Sequence, residues 1–212
     1  MKNEYPWRLI LGIGLVLVGG LALLQSLGLG RLGDWAWTVL FGMGGLAVLM
    51  VTLRDRRAWW GLIPGLALLG IGGEIFVSTL PASLERILSG VVFVAFLSAS
   101  FWLIYLLNPR NWWAIIPGGT LATISLVAAL SNLNGGLETG GIFMMGLGIT
   151  FGLVALLTRQ QQYSMRWAWI PAAILFSLGL LIFFAALDLT GYIFGVALIA
   201  VGGYLAYQSL KK

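Results

Sequence analysis

The chain contains neither cysteine nor histidine. Without cysteine it has no disulfides and no thiolate metal sites, and without histidine it has no imidazole base, no histidine-ligated haem and none of the common zinc sites. It also lacks a phosphate-binding glycine loop with its lysine and a G-x-S-x-G nucleophile elbow. We therefore expect no enzyme activity, and no cofactor or metal held by the chain's own side chains.

Charged residues are scarce as well, at 9% of 212 residues, whereas 60% are hydrophobic. A soluble protein needs more polar surface than this to cover its core. Roughly 20 helical residues cross a hydrocarbon core of ~30 Å, and helix satisfies the backbone in lipid. The sequence thus predicts an all-α integral membrane protein with eight transmembrane helices. The apolar stretches are Trp7–Leu29, Trp35–Leu53, Ala58–Val77, Ile87–Leu107, Trp112–Leu130, Gly140–Thr158, Trp167–Leu187 and Tyr192–Tyr207.

The connections between these stretches alternate in charge. The side that holds both termini has ten basic and two acidic residues, and the other side, with Glu74 counted there, has two basic and five acidic residues. Because basic residues collect on the cytoplasmic side, we expect a multi-pass protein of the plasma (inner) membrane with both termini in the cytoplasm. No basic patch is interleaved with aromatic residues, so nucleic acid is not an expected partner.

Three of the stretches open with the same combination of arginine, tryptophan and proline. The openings are residues 57–65, 110–118 and 166–172, and their prolines lie 53 and 54 residues apart. A period of this length in a membrane chain indicates one helical hairpin per repeat. We predict a single membrane domain, residues 1–212, of four tandem hairpins related as parallel repeats. The hairpins are approximately residues 7–53, 58–107, 112–158 and 167–207.

Two groups of residues are expected at the membrane surfaces. Tryptophan favours the headgroup level, and an acid at the start of a helix meets the positive end of the helix dipole. The predicted interfacial anchors are Trp59, Trp60, Trp112, Trp113, Trp167 and Trp169, and the predicted outer acidic positions are Asp34, Glu85, Glu138 and Asp188.

Glu74 is the acidic residue that lies well inside a stretch. It follows Pro64 by ten residues, which places it roughly 15 Å along a helix that starts near that proline. An ionisable group at such a depth is a candidate functional residue. One interpretation has Glu74 facing the bundle interior beside a polar neighbour such as Gln25. The other has it protonated, or extended toward the outer headgroups.

The first two hairpins resemble a known family. Residues 7–15 read WRLILGIGL, Gly19-Gly20-Leu21 follow, and a short polar break precedes Trp35-Ala36-Trp37. In these features the chain is similar to the LiaI/LiaF-like transmembrane region of bacterial envelope proteins. The resemblance implies a bacterial plasma-membrane protein that regulates envelope-stress signalling through partners.

Two functions from different classes follow. The first is a non-catalytic accessory, scaffold or regulatory subunit that works through membrane lipid and through contacts with other membrane proteins or with itself. The second is a small transporter or channel for a cation or cationic substrate, which Glu74 and the outer acids would attract. A polar path enclosed by the helices would favour the second.

Overall fold

The computed structural model describes residues 30–54, 56–133, 139–158 and 165–186, with isolated positions between 12 and 26 and between 195 and 204. Most of the first and last predicted stretches lie outside these ranges, as do Gln25, Glu138 and Asp188. The described ranges contain α-helices, three short 3-10 turns and no strand. The helices are α1 (Gly30–Arg54), α2 (Leu62–Val77), α3 (Ala82–Leu88), α4 (Val91–Leu107), α5 (Ile115–Leu133), α6 (Thr139–Leu157) and α7 (Trp169–Ala186).

Five segments within these ranges are long and apolar enough to cross a membrane. A sixth arises if α3 and α4, which are bent by 41° at a short break, count as one span. The protein is thus all-helical in its described part and has the composition of a multi-pass membrane protein. The count of eight spans exceeds what the described residues contain.

The chain divides into two compact units, residues 1–133 and 134–212. In the first unit the long helices form a row in chain order: α1 packs against α2, α2 against α4, and α4 against α5. The most deeply buried residues of this unit include Leu62, Ile104 and Ala114, with Phe101 and Tyr105 packed against them. This core lies where α2 and α5 begin and where α4 ends.

In the second unit α6 packs against α7, and glycine residues of both helices lie at the contact. A Cβ added to Gly179 would lie 2.6 Å from the backbone nitrogen of Met145, and one added to Gly148 would lie 2.7 Å from the nitrogen of Phe176. The two helix backbones are therefore in direct contact. Small residues permit this approach, which supplies the van der Waals contact that holds helices together in lipid.

The three predicted openings share one local structure. The 3-10 turns Arg56–Gly61, Trp112–Ala114 and Arg166–Ala168 precede α2, α5 and α7. In each case proline is the third residue of the α-helix that follows: Pro64, Pro117 and Pro171. A proline in the first turn costs no hydrogen bond, because its missing N–H would have no partner within the helix.

The described parts of the hairpins give no support to the predicted repeat. Helices α2 and α4 of hairpin 58–107 do pack together, but α3 interrupts the connection between them. Hairpin 112–158 is divided between the two units, and hairpins 7–53 and 167–207 each have one member mostly outside the described residues. Close pairs form instead across the arginine-bearing connections, as α1 with α2, α4 with α5 and α6 with α7. The four-hairpin repeat is not supported by the described structure.

Candidate functional site at the broken span

The site begins with an interruption in one predicted span. The sequence predicts a continuous helix over Ile87–Leu107, but α3 ends at Leu88 and α4 begins at Val91. Between them Gly90 has a φ of +74°, a left-handed conformation that a residue with a Cβ rarely adopts. The break leaves carbonyls at the end of α3 and N–H groups at the start of α4 without helical partners, and in lipid such groups need substitutes.

Glu74 supplies partners for the N–H groups. Its Oε1 accepts a hydrogen bond of 2.5 Å from the backbone nitrogen of Gly90, and its Oε2 accepts a longer one of 3.4 Å from that of Phe93. A carboxylate at this position also meets the positive end of the α4 dipole. Glu74 of α2 therefore caps a neighbouring helix.

Asn132, on α5, supplies partners for the carbonyls at the end of α3. The Asn132 side-chain amide donates to the carbonyl oxygens of Ile87 at 3.2 Å and Ser89 at 3.1 Å. The Ser125 hydroxyl, also on α5, donates to the carbonyl of Val91, the first residue of α4, at 3.1 Å and so joins α5 to the start of α4. Flanking helices α2 and α5 thus satisfy the break from its two sides. Discontinuous membrane helices are stabilised in this way by neighbouring side chains.

The chemistry available at the break is that of one carboxylate, one amide and one hydroxyl, all of them hydrogen-bonded. Across the described part of the chain, no three or more histidine, cysteine, aspartate or glutamate residues are grouped as a metal site would require. The arrangement can hold a helix terminus in place. It supplies no nucleophile paired with a base.

Of the other predicted acidic positions, Asp34 and Glu85 are among the described residues, and neither side chain takes part in the hydrogen bonds at the break. Asp34 is the fifth residue of α1 and is part-buried. Glu85 lies in the first turn of the short helix α3, six residues before the long helix α4 begins. Glu85 thus stands near the start of a helix, although that helix is α3 and the break separates it from α4. Its place among the outer acidic positions stays a prediction.

The predicted tryptophan anchors lie at the three openings. Trp59, Trp60, Trp112, Trp113 and Trp167 are in the 3-10 turns, and Trp169 is the first residue of α7. Trp59 and Trp113 meet edge to face with ring centroids 6.0 Å apart, and Trp113 meets Phe101 at 6.2 Å. These rings join the start of α2, the start of α5 and α4. Whether they lie at headgroup level stays a prediction.

Sequence reasoning missed Gly90, Asn132 and Ser125. The available signal was the pair Ser89-Gly90 inside an apolar stretch, since both residues favour a turn over a helix. Asn132 had a weaker signal, because it stands near the end of a stretch where an amide is unremarkable. The partner predicted for Glu74, Gln25, lies outside the described residues, so that pairing stays a prediction; within the described residues the carboxylate bonds to backbone.

Comparisons of the chain with protein-family models, with curated proteins and with solved structures gave no match. The resemblance to the LiaI/LiaF-like transmembrane region therefore stays a prediction.

Proposed function

We propose that the chain is a non-catalytic accessory, scaffold or regulatory membrane subunit that acts through contacts with lipid and with other helices. The observation that carries this proposal concerns the buried polar side chains. All those classed as buried in the described ranges are hydroxyls that donate to backbone carbonyls, five within a helix or its end and two between α4 and α5. They are Thr52, Ser98, Ser100, Thr123, Ser125, Thr150 and Thr158.

Because these hydroxyls are already bonded to backbone carbonyls, they leave few polar groups that could line a path for a cation across the membrane. The Glu74 carboxylate, on α2, also accepts hydrogen bonds from the backbone of α4. Of the described buried side-chain oxygen and nitrogen atoms, Thr38 Oγ1 alone has no partner. Most of these buried hydroxyls therefore bond within their own helix, whereas Ser98, Ser125 and the Glu74 carboxylate bond to the backbone of a neighbouring helix.

The outward faces are apolar and support the same function. On α7, Ile170, Ile174 and Leu181 are each more than half exposed. Such faces are suited to lipid or to the helices of another membrane protein. Regulation of envelope stress, which the family resemblance implies, is one setting in which a subunit of this kind would work.

The proposal includes a topology. We place the arginine-bearing connections in the cytoplasm of a plasma membrane, with both termini there, because basic residues prevail on that side. Eight spans in four repeated hairpins remain part of the proposal. The shared 3-10 turn and the proline at the third helical position support a common origin of the openings.

A photo-crosslinking experiment tests the accessory function. A crosslinking amino acid at Ile174 should capture a discrete membrane protein, or a second copy of the chain, in intact cells. The same amino acid at Ala172, which is buried two residues away, is the matched control and should capture none. If Ile174 yields only lipid adducts, and so do the other exposed positions of α7, the accessory function loses its support.

The second candidate is a small transporter or channel for a cation, and the broken span favours it. Transporters often bind their substrates where a membrane helix is interrupted, close to the ends of the half-helices. The test is uptake of monovalent and organic cations by liposomes that contain the purified chain. Flux that requires Glu74, and that Glu74→Gln abolishes without loss of folded protein, would establish this candidate in place of the first.

A further inference from the structure

A cavity of about 580 Å³ lies in the first unit at the arginine-bearing ends of its helices. Its walls come from the end of α1, the start of α2 and the end of α4. Helices α1 and α4 both pack on α2, and their ends leave a gap over the beginning of that helix. The volume is typical of a site for a small organic ligand.

The inner wall of the cavity is apolar. It includes Leu62 and Ile104, each 1% exposed, whereas Leu53 and Leu107 at its edge are more than 60% exposed. Apolar side chains thus run from the edge of the cavity to its buried wall. An occupant that fits this lining is a hydrocarbon chain.

Two polar side chains of the wall form hydrogen bonds within the protein. The Thr52 hydroxyl donates to the carbonyl of Val48 at 2.8 Å, and Asn108 Oδ1 accepts from the backbone nitrogen of Arg110 at 3.2 Å. Trp59 is held against Trp113 at a centroid distance of 6.0 Å. Two polar side-chain oxygens of the wall are thus already bonded within the protein, and most of the remaining lining is apolar, which favours an occupant that is mainly hydrocarbon.

The edge of the cavity is basic. Arg54 follows the lining residue Leu53, and Arg110 comes two residues after the lining residue Asn108; both arginines are exposed. Guanidinium groups bind phosphate in a two-pronged geometry, and basic pockets between membrane helices bind anionic lipid headgroups. We propose that the cavity holds an acyl chain of an anionic phospholipid, and that Arg54 and Arg110 bind its phosphate.

The proposal concerns a lipid site, and it does not depend on whether the chain acts as an accessory subunit or as a transporter. Native mass spectrometry of the full chain in detergent tests it, with phosphatidylglycerol, phosphatidylcholine and inorganic phosphate as separate probes. We expect phosphatidylglycerol to bind more tightly than phosphatidylcholine, and inorganic phosphate to bind no more than it does to a control protein. The double variant Arg54→Gln/Arg110→Gln should bind phosphatidylglycerol about tenfold more weakly.

Two controls distinguish lipid binding at this cavity from a general attraction between the basic chain and anionic lipid. The double variant Arg86→Gln/Arg166→Gln removes two other exposed charges and should bind phosphatidylglycerol like the unmodified chain. A second test fills the cavity: Leu107→Trp, at the end of α4, should weaken phosphatidylglycerol binding, and Leu157→Trp, at the equivalent end of α6, should not.

Four results would overturn the proposal. They are equal binding of the two phospholipids, saturable binding of inorganic phosphate alone, equal losses in the two arginine double variants, and unchanged binding in Leu107→Trp. A variant that fails to give folded protein in the same detergent is replaced by the single change Arg110→Gln, for which we expect about a threefold loss.

Discussion

Replacement of Glu74 tests the cap on the broken span most directly. The change to alanine removes both hydrogen bonds to the start of α4, and the change to glutamine keeps one oxygen acceptor while removing the charge. If the carboxylate stabilises the break, both variants should lose stability, and alanine should cost more. The loss should appear first at the backbone amides of residues 90–93.

The expected magnitudes follow from the geometry. A hydrogen bond to a charged group contributes about 1.5–3 kcal/mol, and the bond from Gly90 is the short one of the pair. The bond from Phe93, at 3.4 Å, is near the limit of a useful interaction. We therefore expect a loss of about 2–3 kcal/mol for alanine, and of about 1 kcal/mol for glutamine because a neutral acceptor remains.

Hydrogen–deuterium exchange in one detergent is the assay. Because 1.4 kcal/mol corresponds to a factor of ten, Glu74→Gln should speed exchange at residues 90–93 about fivefold, and Glu74→Ala should speed it by more than tenfold. Glu85→Gln is the matched control, since that carboxylate takes no part in the bonds at the break. Tryptophan fluorescence during denaturation gives an independent measure of global stability.

The capping role would be refuted by a specific result. If exchange at residues 90–93 in both Glu74 variants equals that in Glu85→Gln, the carboxylate does not stabilise α4. A global loss of stability without a local increase in exchange would also contradict it, because the bonds lie at the start of α4.

Three further outcomes are expected. Gly179→Ala should destabilise the second unit by about 1–3 kcal/mol because its methyl group would overlap Met145. Gly152→Ala, with open space at its Cβ, should be neutral or slightly stabilising in the same unfolding assay. Equal effects of the two changes would show that α6 and α7 are not in contact at Gly179. An impermeant thiol reagent should label a cysteine at Ser83 in intact cells and leave one at Asn111 unlabelled, and the reverse would invert the proposed topology. Metal analysis of the purified chain should find no stoichiometric transition metal, and a visible absorption band from a bound chromophore would contradict this.

The openings of the helices were predictable because their residues act locally. Tryptophan and arginine mark the end of a span, and proline is tolerated in the first helical turn, so Pro64 and Pro117 fix where α2 and α5 begin. The pairing of helices was not predictable in the same way. A repeat in sequence shows which segments are alike. Packing depends on which helix faces meet, and the glycines that permit close contact lie at different positions in the similar segments.

The glycines illustrate how far the sequence alone predicts the packing of the helices. Gly148 and Gly152 lie one turn apart on α6 and look alike in sequence. A Cβ on Gly148 would collide with the backbone of α7, yet one on Gly152 would meet nothing within 4 Å. Gly90 has a third role, the left-handed residue of the break. Among 30 glycines, composition alone does not separate a contact, an open position and a turn.

The depth of Glu74 could be estimated from sequence, but its partner could not. Helical rise sets how far along α2 the residue lies, and a polar neighbour on another span was a reasonable expectation. Among the described residues, the partner of Glu74 is the backbone at the start of α4, a helix start that the sequence did not reveal because Ile87–Leu107 reads as a continuous span. A carboxylate can be matched by N–H groups that no side-chain pattern reveals.

The hydrogen bonds at the break lead to different expectations for the two candidate functions. A cation that bound Glu74 would compete with the N–H groups of Gly90 and Phe93 for the same two oxygens. Binding would therefore release the start of α4, and Asn132 would still hold the carbonyls of Ile87 and Ser89. A transporter that works at this site must then loosen α4 with each cation it binds, and added cation should accelerate exchange at residues 90–93. An accessory subunit requires the opposite: Glu74 stays on α4, and exchange there is independent of the cation present.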